Sequence, residues 1–296
     1  MPAWSILVLI ACNIAWALNV IVGKVAVDDL AMPPIFFAGL RSAIVVIALL
    51  PLLMRALPAR LLQVLVVGFA ISGGSFALLF MGLQTADPAT AGAVGLVGAP
   101  LTVLFAIVFL GETVRWRRGL GMAMAFGGVL LAIMSKGAMA ASGGALLVFV
   151  SALVGALGAV FVKRLEMDGM TLQAWAAVAS SVVLLPLSLA IETGHVAALT
   201  ASPWAVAGCL FFAAIVVSIA ATGTYFVLFK KYEANMVVPL TLLHPLMTIG
   251  LGAWLTNDEI GWRLLVGAGV ALAGVAIIVI RPSETFTKRF LVRPRM

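Results

Sequence analysis

Long apolar runs, separated by connections often shorter than about ten residues, constrain the fold of this sequence more than any other feature. Each run has about 20 residues, which is the length of a helix that crosses the hydrocarbon core of a bilayer with its backbone polar groups paired internally. The sequence therefore predicts an all-α integral membrane protein with ten transmembrane helices. The predicted helices lie at about residues 4–23, 35–54, 61–82, 88–110, 117–134, 143–162, 171–191, 204–229, 235–256 and 262–280.

The composition excludes the other classes that a chain of 296 residues can form. Hydrophobic residues make up 64% and charged residues 10% of the chain, whereas soluble domains have about 45–50% and about 25%. So few charges cannot cover a soluble globule, and so apolar a chain is not disordered. The net charge of +7 would suit nucleic acid, but Lys and Arg lie in short connections and at the end of the chain. We therefore expect the lipid bilayer as a partner, and no nucleic acid.

The positive charges also predict how the helices are oriented. If the N-terminus is cytoplasmic, most of the 18 Lys and Arg residues fall in cytoplasmic connections or at the end of the chain. This is the distribution that the positive-inside rule describes. We therefore expect both termini in the cytoplasm, with residues 282–296 forming a basic tail beside the lipid headgroups.

The two halves of the chain repeat the same rare residues in the same order, at offsets of 145 or 146 residues. The matched pairs are Trp116 and Trp262, Arg117 and Arg263, Gly128 and Gly274, and Pro100 and Pro245. Because each copy has five helices, an odd number, the second copy must enter the membrane from the opposite side. The sequence predicts two inverted five-helix repeats, residues 1–137 and 138–281, an arrangement typical of secondary transporters.

Particular residues of this pattern resemble a known family. Trp16-Ala17-Leu18-Asn19 with Lys24 resembles the opening helix of the EamA module of the drug/metabolite transporter superfamily, and Arg41 is similar to the arginine of that module's second helix. The resemblance extends over about residues 1–281. Further matches are Gly82, Ala86, Pro100, Leu110-Gly111-Glu112, Gly121 and Gly128-Val129 in the first half, and Pro245, Glu259, Gly267 and Gly274-Val275 in the second.

This resemblance implies a ten-helix exporter in the bacterial inner membrane. Within the superfamily the chain looks most like bacterial exporters of neutral amino acids, the aromatic amino acid exporter type in particular. Gly155 and Gly158 stand where the first half has Trp16 and Asn19, so we expect a substrate pocket that is not symmetric. Small residues at four-residue spacing, such as Gly121 and Ala125, are expected to pack within a monomer rather than between subunits.

Polar and aromatic side chains inside the apolar runs are candidates for substrate contact, because polar groups are costly in lipid. Three-residue spacing on the first helix keeps Trp16 near one face with Asn13 and Asn19, where amides beside a ring suit a zwitterion with an apolar side chain. The alternatives are helix–helix hydrogen bonds for the amides, core packing for the rings and a structural role for the histidine. The candidate substrate-binding residues are Asn13, Trp16, Asn19, Ser75, Phe80, Tyr225 and His244.

Glycine and proline interrupt matching helices in the two halves, which indicates a transport site, a hinge, or both. Proline frees a carbonyl one turn earlier, and glycine lets backbones approach closely, although plain packing is the alternative. The candidate hinge residues are Gly73, Gly74, Gly98, Pro100, Gly223, Pro239 and Pro245. We expect a structural or gating role for Arg41, with Asp28 or Asp29 as its partner, rather than recognition of a carboxylate. Lys24 is expected to extend from its helix end to the interface.

The residues that are missing narrow the choice of substrate. All eleven Asp and Glu lie in loops, at helix ends or in the tail, which argues against antiporters of cationic drugs. Phosphorylated sugars would need several cations in the cavity, whereas Arg41 is the one cation inside a predicted helix. This argues against such substrates. Neutral zwitterions or uncharged metabolites remain, and the resemblance implies neutral amino acids among them, exported by alternating access. Facilitated diffusion is favoured over strict proton exchange, because His244 is the one candidate proton carrier.

Three alternatives stay open at this stage. The first is an exporter of another small uncharged metabolite or drug, and the second is a channel. The third is an intramembrane serine hydrolase that would use Ser75 and His244. No cluster of His, Cys or acidic residues suggests a metal, and no Gly-rich Walker loop suggests ATP. We therefore expect a transporter without a cofactor and not an enzyme.

Overall fold

The computed structural model describes residues 2–54, 57–111, 116–133, 140–162, 164–232, 240–241, 243–258 and 260–279. Within these ranges the regular secondary structure is entirely helical. The main helices are α1 (Ala3–Lys24), α2 (Pro34–Ala48), α3 (Leu61–Leu83), α4 (Pro88–Leu110), α5 (Trp116–Ile133), α6 (Ala140–Val162), α7 (Gly169–Ile191), α8 (Pro203–Phe211 continued by Phe212–Ala221 and Thr222–Lys231), α9 (Leu243–Leu255) and α10 (Trp262–Val279). Short helices follow α2 and α7, at Leu50–Leu53 and His195–Ala201.

Six of these helices are long and apolar enough to cross a membrane, namely α1, α3, α4, α6, α7 and α8. The four others are shorter apolar helices. The outer surface of the bundle is apolar too, since Ile47, Leu62 and Trp204 are 74%, 76% and 88% exposed. Such a surface is unfavourable in water and suits lipid. The protein is thus a helical membrane protein, and the crossing of the bilayer by all ten helices stays a prediction.

The helices that pack together follow a regular scheme. α2 packs against α7, α4 against α9, and α5 against α10, so that in these three pairs the partner lies five places along the chain. In addition α1 packs against α8 and α9, while α6 packs against α3 and α4. If each helix of one half is replaced by the helix at the same place in the other half, the set of packed pairs stays the same.

Two helices at matching places, α3 and α8, contain π-helical turns. They lie at Phe69–Gly74 in α3 and at Phe212–Ala221 in α8. A π-helical turn shifts the backbone hydrogen bonds by one residue and is frequent at functional sites. Gly73, in the first of these turns, lies so close to α7 that an added Cβ would come within 2.6 Å of the Ser180 hydroxyl oxygen.

A break divides α4 into Pro88–Gly95 and Gly98–Leu110. The predicted interruption at Gly98 and Pro100 falls at this break. Pro100 is the third residue of the second segment, where its missing N–H leaves no helical hydrogen bond unmade. Pro245 is likewise the third residue of α9, whereas Pro239 lies outside the described residues. A hinge movement at these residues stays a prediction.

Glycines bring α5 and α10 into close backbone contact. A Cβ added at Gly121 would lie 2.7 Å from the Gly274 carbonyl oxygen, and one added at Gly267 would lie 2.6 Å from the Gly128 carbonyl oxygen. Real Cβ atoms do not approach so closely, so this seam tolerates only glycine at these positions. The small residues of α5 and α10 thus pack within the chain, as the sequence analysis expects.

Two carboxylates from the second half cap helices of the first half. Glu192, just past α7, accepts the backbone N–H groups of Ile35 and Phe36 at the start of α2, both at 2.9 Å. Asp258, past α9, accepts the backbone N–H of Ala89 at the start of α4, at 2.8 Å. Because successive helices alternate in direction, both caps lie at one end of the bundle, which we call the capped end.

Candidate functional site

A cavity of about 510 Å³ lies among α1, α2, α3, α6, α7, α8 and α9. It reaches Val162, the last described residue of α6, and Leu172 and Gln173 near the start of α7. These residues lie at the end of the bundle opposite the capped end. A volume of this size is typical of sites that hold small molecules. The cavity therefore extends from the middle of the bundle towards the end opposite the carboxylate caps.

Trp16 organises one wall of the cavity. Its indole Nε1–H donates to the hydroxyl oxygen of Thr222 on α8, at 3.2 Å. The ring makes edge-on contacts with Tyr225 and His244, whose ring centroids lie 5.3 and 6.3 Å away. Aromatic rings in this arrangement attract one another beyond simple burial. The result is a wall of three rings contributed by α1, α8 and α9, and all three residues line the cavity.

Asn19, one turn along α1, adds a polar group to the same cavity. The residue is 3% exposed, and its amide oxygen Oδ1 has no hydrogen-bond partner among the described residues. Buried polar atoms are almost always paired in proteins, by protein, water or ligand. The Oδ1 atom is itself buried, so Asn19 borders the cavity through the rest of the residue.

Arg41 lines the cavity from α2. Its Nε donates to the Ala213 carbonyl oxygen at 3.2 Å and to the Ser218 hydroxyl oxygen at 3.1 Å, and its Nη2 donates to the same hydroxyl at 2.9 Å. The guanidinium carbon lies 3.7 Å from the centre of the Phe76 ring. Both acceptors belong to the π-helical turn of α8. Arg41 therefore joins the first half to the second beside the cavity.

The expected pairing of Arg41 with Asp28 or Asp29 is not what the structure shows. Asp28 instead pairs with Lys24, at the point where α1 continues as the π-helical segment Val25–Asp29, with 2.7 Å between the amine nitrogen and a carboxylate oxygen. Four residues along a helix is the spacing at which opposite charges meet. Lys24 is thus at the helix end, and neither residue of this pair lines the cavity.

The structure brings together four of the seven predicted substrate-binding residues, Trp16, Asn19, Tyr225 and His244. The other three lie outside this cavity. Asn13 is fully buried and donates to the Leu9 carbonyl oxygen at 2.7 Å, and Phe80 packs edge-on against Phe37. Ser75 donates to the carbonyl oxygen of its own helix at Ser72, and among the described residues no hydrogen bond joins it to His244.

The predicted hinge residues with described positions lie around the cavity rather than in its lining. Gly223 follows Thr222 in α8, and an added Cβ would come 2.6 Å from the Met170 sulfur atom. Gly74 lies beside the Phe69 ring, and Gly73 against α7. Pro245 follows His244, and its carbonyl oxygen lies 3.0 Å from where a Cβ of Gly92 on α4 would be.

Sequence reasoning missed several residues that line the cavity. They are Ile71, Ser72, Phe76, Gln173 and Thr222. A second space of about 330 Å³, next to the broken part of α4, shares His244 and Leu79 with this cavity. It is bordered by Gly95 and Gly98, which places the break in α4 beside the candidate site.

Comparison with known proteins adds to this geometry. The family model described as "EamA-like transporter family" matches residues 3–134 and again residues 142–280. A "Probable amino-acid metabolite efflux pump" of Salmonella typhimurium is 30% identical over 277 residues, which cover 90% of this chain and 91% of the relative. A protein of the same name in Escherichia coli is 28% identical over 277 residues, with the same coverage.

The fold is also similar to that of a solved structure. A chain described as "Crystal structure of protein" matches with a TM-score of 0.58 and 17% identity, over 99% of this chain and 100% of that one. At this level of identity the similarity shows a shared fold and no more.

Proposed function

Because the chain belongs to the EamA-like transporter family, we propose that it exports neutral amino acids, aromatic and hydrophobic ones in particular, across a bacterial inner membrane. The observation that supports this most is the wall of the cavity. Rings of Trp16 and Tyr225 suit an apolar side chain, and the amide of Asn19 suits the polar end of the same molecule. The names of the two relatives, amino-acid metabolite efflux pumps, are in keeping with this substrate class.

The proposed mechanism is alternating access by two inverted five-helix halves, residues 1–137 and 138–281. Three observations support it: the family model matches twice, the helix contacts keep their pattern when the halves are exchanged, and α3 and α8 both contain π-helical turns. The cavity extends towards one end of the bundle, while carboxylate caps join the two halves at the other, as expected for one of the two states of such a transporter. With the orientation predicted from the charges, this is the inward-facing state, and both termini are cytoplasmic.

A facilitator needs no coupled ion, and we propose facilitated diffusion by a monomer. Purified protein in liposomes, given labelled phenylalanine, methionine and threonine with and without an imposed pH gradient, tests this. Saturable uptake of phenylalanine without a gradient is expected. Uptake only with a gradient would indicate a proton-coupled carrier instead of a facilitator, with His244 as the candidate proton carrier. No uptake of any of the three would overturn the substrate class and leave an exporter of another small uncharged metabolite or drug.

Single substitutions test the cavity as the substrate site. We expect Asn19→Ala and His244→Ala to abolish uptake while the protein stays folded and monodisperse. Asn13→Ala is the matched control, because Asn13 is an equally buried amide on the same helix but does not line the cavity. Uptake at the wild-type rate in both cavity variants would contradict the assignment, and so would an equal loss in the control.

A further inference from the structure

We propose that Arg41 binds the carboxylate of the transported molecule, so that the cavity selects substrates which have one. This rests on the proposed function and makes it more specific, because it identifies the group that the site recognises and the side chain that recognises it. It also replaces the gating or purely structural role that the sequence suggests for Arg41.

The first argument is the charge of the cavity. Arg41 is 4% exposed, and within the described part of the chain no carboxylate pairs with it, since the ion pair formed there joins Lys24 and Asp28. Among the residues that line the cavity, Arg41 is the one permanent charge. A buried charge without a counter-charge is strongly unfavourable in surroundings of low polarity. An anionic group that enters the cavity removes this penalty, whereas a cation increases it.

The second argument is the geometry of the guanidinium. One edge is fixed by the bonds of Nε and Nη2 to α8, and the ring of Phe76 covers a face. The remaining N–H groups of Nη1 and Nη2 have no hydrogen-bond partner among residues with described positions. A guanidinium held in this way offers a free edge, and parallel N–H groups of that edge match the two oxygens of a carboxylate.

A structural role alone does not account for the residue. The acceptors on α8, a carbonyl and a hydroxyl, are uncharged, and the amide N–H of a glutamine would satisfy acceptors of this kind at much lower cost in lipid. The positive charge of Arg41 therefore has a role other than these hydrogen bonds to α8.

The test compares four molecules that share a phenyl group and differ in their charged ends. Uptake of labelled phenylalanine into liposomes is measured against competing phenylalanine, phenylalaninamide, phenethylamine and 3-phenylpropionate. We expect the two carboxylates to compete at least about tenfold better than the two molecules that lack the group, as one charge-assisted interaction predicts. If phenylalaninamide competes as well as phenylalanine, the proposal is overturned while amino-acid export stands.

Arg41→Gln assigns the selectivity to this side chain. The variant keeps a donor for α8 and removes the charge, so the KM for phenylalanine should rise at least about tenfold and the preference for carboxylates should disappear. Arg164→Gln is the control, because Arg164 also donates to a carbonyl oxygen, that of Phe109 at 2.7 Å, and lies over a phenyl ring, but is exposed. Should Arg41→Gln fail to fold, the competition series on the unmodified protein still decides between the two outcomes.

A binding measurement separates this proposal from the proposed function. If the unmodified protein takes up none of the three amino acids, its thermal denaturation is followed with 3-phenylpropionate or phenylalaninamide added. Stabilisation by the carboxylate alone, lost in Arg41→Gln, would support the carboxylate site although the substrate class was wrong. Equal or absent stabilisation by both probes would overturn it.

Discussion

The indole N–H of Trp16 donates a 3.2 Å hydrogen bond to the hydroxyl oxygen of Thr222, which joins α1 in the first half to α8 in the second at the cavity wall. The hydroxyl of Thr222 in turn donates to the Val217 carbonyl oxygen at 2.9 Å, within the π-helical turn. The position of the Trp16 ring therefore depends on the irregular backbone of α8, and so does the aromatic wall that it forms with Tyr225 and His244.

Thr222→Val should weaken this wall without changing its volume. The substitution removes the acceptor of the Trp16 N–H, which is partly buried, and we expect a loss of about 1 kcal/mol in the free energy of unfolding and a higher KM for transport. Unfolding in a detergent titration and uptake kinetics measure the two effects. Thr200→Val is the control, because the Thr200 hydroxyl also donates to a carbonyl of its own helix but is exposed. Equal effects in both variants would contradict a special role for the Trp16–Thr222 contact.

Alanine at two adjacent glycines of α5 should have opposite effects. Gly128 lies against the backbone of α10, whereas a Cβ at Gly127 would meet nothing within 4 Å. Gly127→Ala should stabilise the protein by up to about 1 kcal/mol through helix propensity. Gly128→Ala should force α5 and α10 apart and lower the melting temperature or the yield of monodisperse protein. Similar melting temperatures for the two variants would show that the seam is less tight than described.

Glu192→Gln should weaken the link between α7 and the start of α2. The carboxylate accepts two backbone N–H groups, and the Ser188 hydroxyl also donates to it at 2.6 Å. An amide offers one acceptor and turns an N–H towards these donors, so we expect a loss of about 1–2 kcal/mol in the free energy of unfolding. Glu166→Gln, at an exposed position, should change it little. If both variants unfold alike, the cap does not hold the two halves together.

Labelling with a membrane-impermeant thiol reagent should distinguish the two ends of the cavity. In a background with Cys12→Ala and Cys209→Ala, Gln173→Cys should react from the cytoplasmic side and Thr193→Cys, just past the end of α7, from the other side. Gln173 lines the cavity near the start of α7. Reaction of Gln173→Cys from the outside alone would reverse the proposed orientation. Faster reaction of Gln173→Cys with reagent added outside, after Glu192→Gln and Asp258→Asn, would show that the caps keep the capped end closed.

The fold could be predicted well because its main signal, apolar length, is strong. Each predicted run overlaps a described helix, although α2 ends at Ala48 and α9 is described from Leu243. The rare side chains Trp16, Asn19, Tyr225 and His244 meet in one cavity. Polar and aromatic residues in apolar helices are few, so a site composed of them is conspicuous in the sequence.

The rest of the site could not be predicted, for reasons of geometry. Successive helical residues are about 100° apart, so Asn13 and Asn19 lie about 120° from each other around α1 and cannot both face one cavity. Thr222 and Ser72 escape notice because small hydroxyl residues are common in apolar helices, where they bond to their own backbone. The partners of Arg41 lie in a π-helical turn, whose displaced carbonyls leave no mark in the sequence.

If the carrier works by alternating access and Arg41 binds the substrate carboxylate, as proposed, the charge of Arg41 has a consequence for the kinetics of transport. When the cavity is empty, closing both ends removes water from a guanidinium without a counter-ion, so this step is slow. A bound carboxylate supplies the counter-ion, and the loaded protein passes through the closed state more easily. Exchange of unlabelled for labelled substrate should therefore run faster than net efflux, and substrate waiting on the far side should accelerate the flux. An Arg41→Gln protein that still transported would lose this acceleration, because it has no buried guanidinium whose pairing depends on the bound substrate.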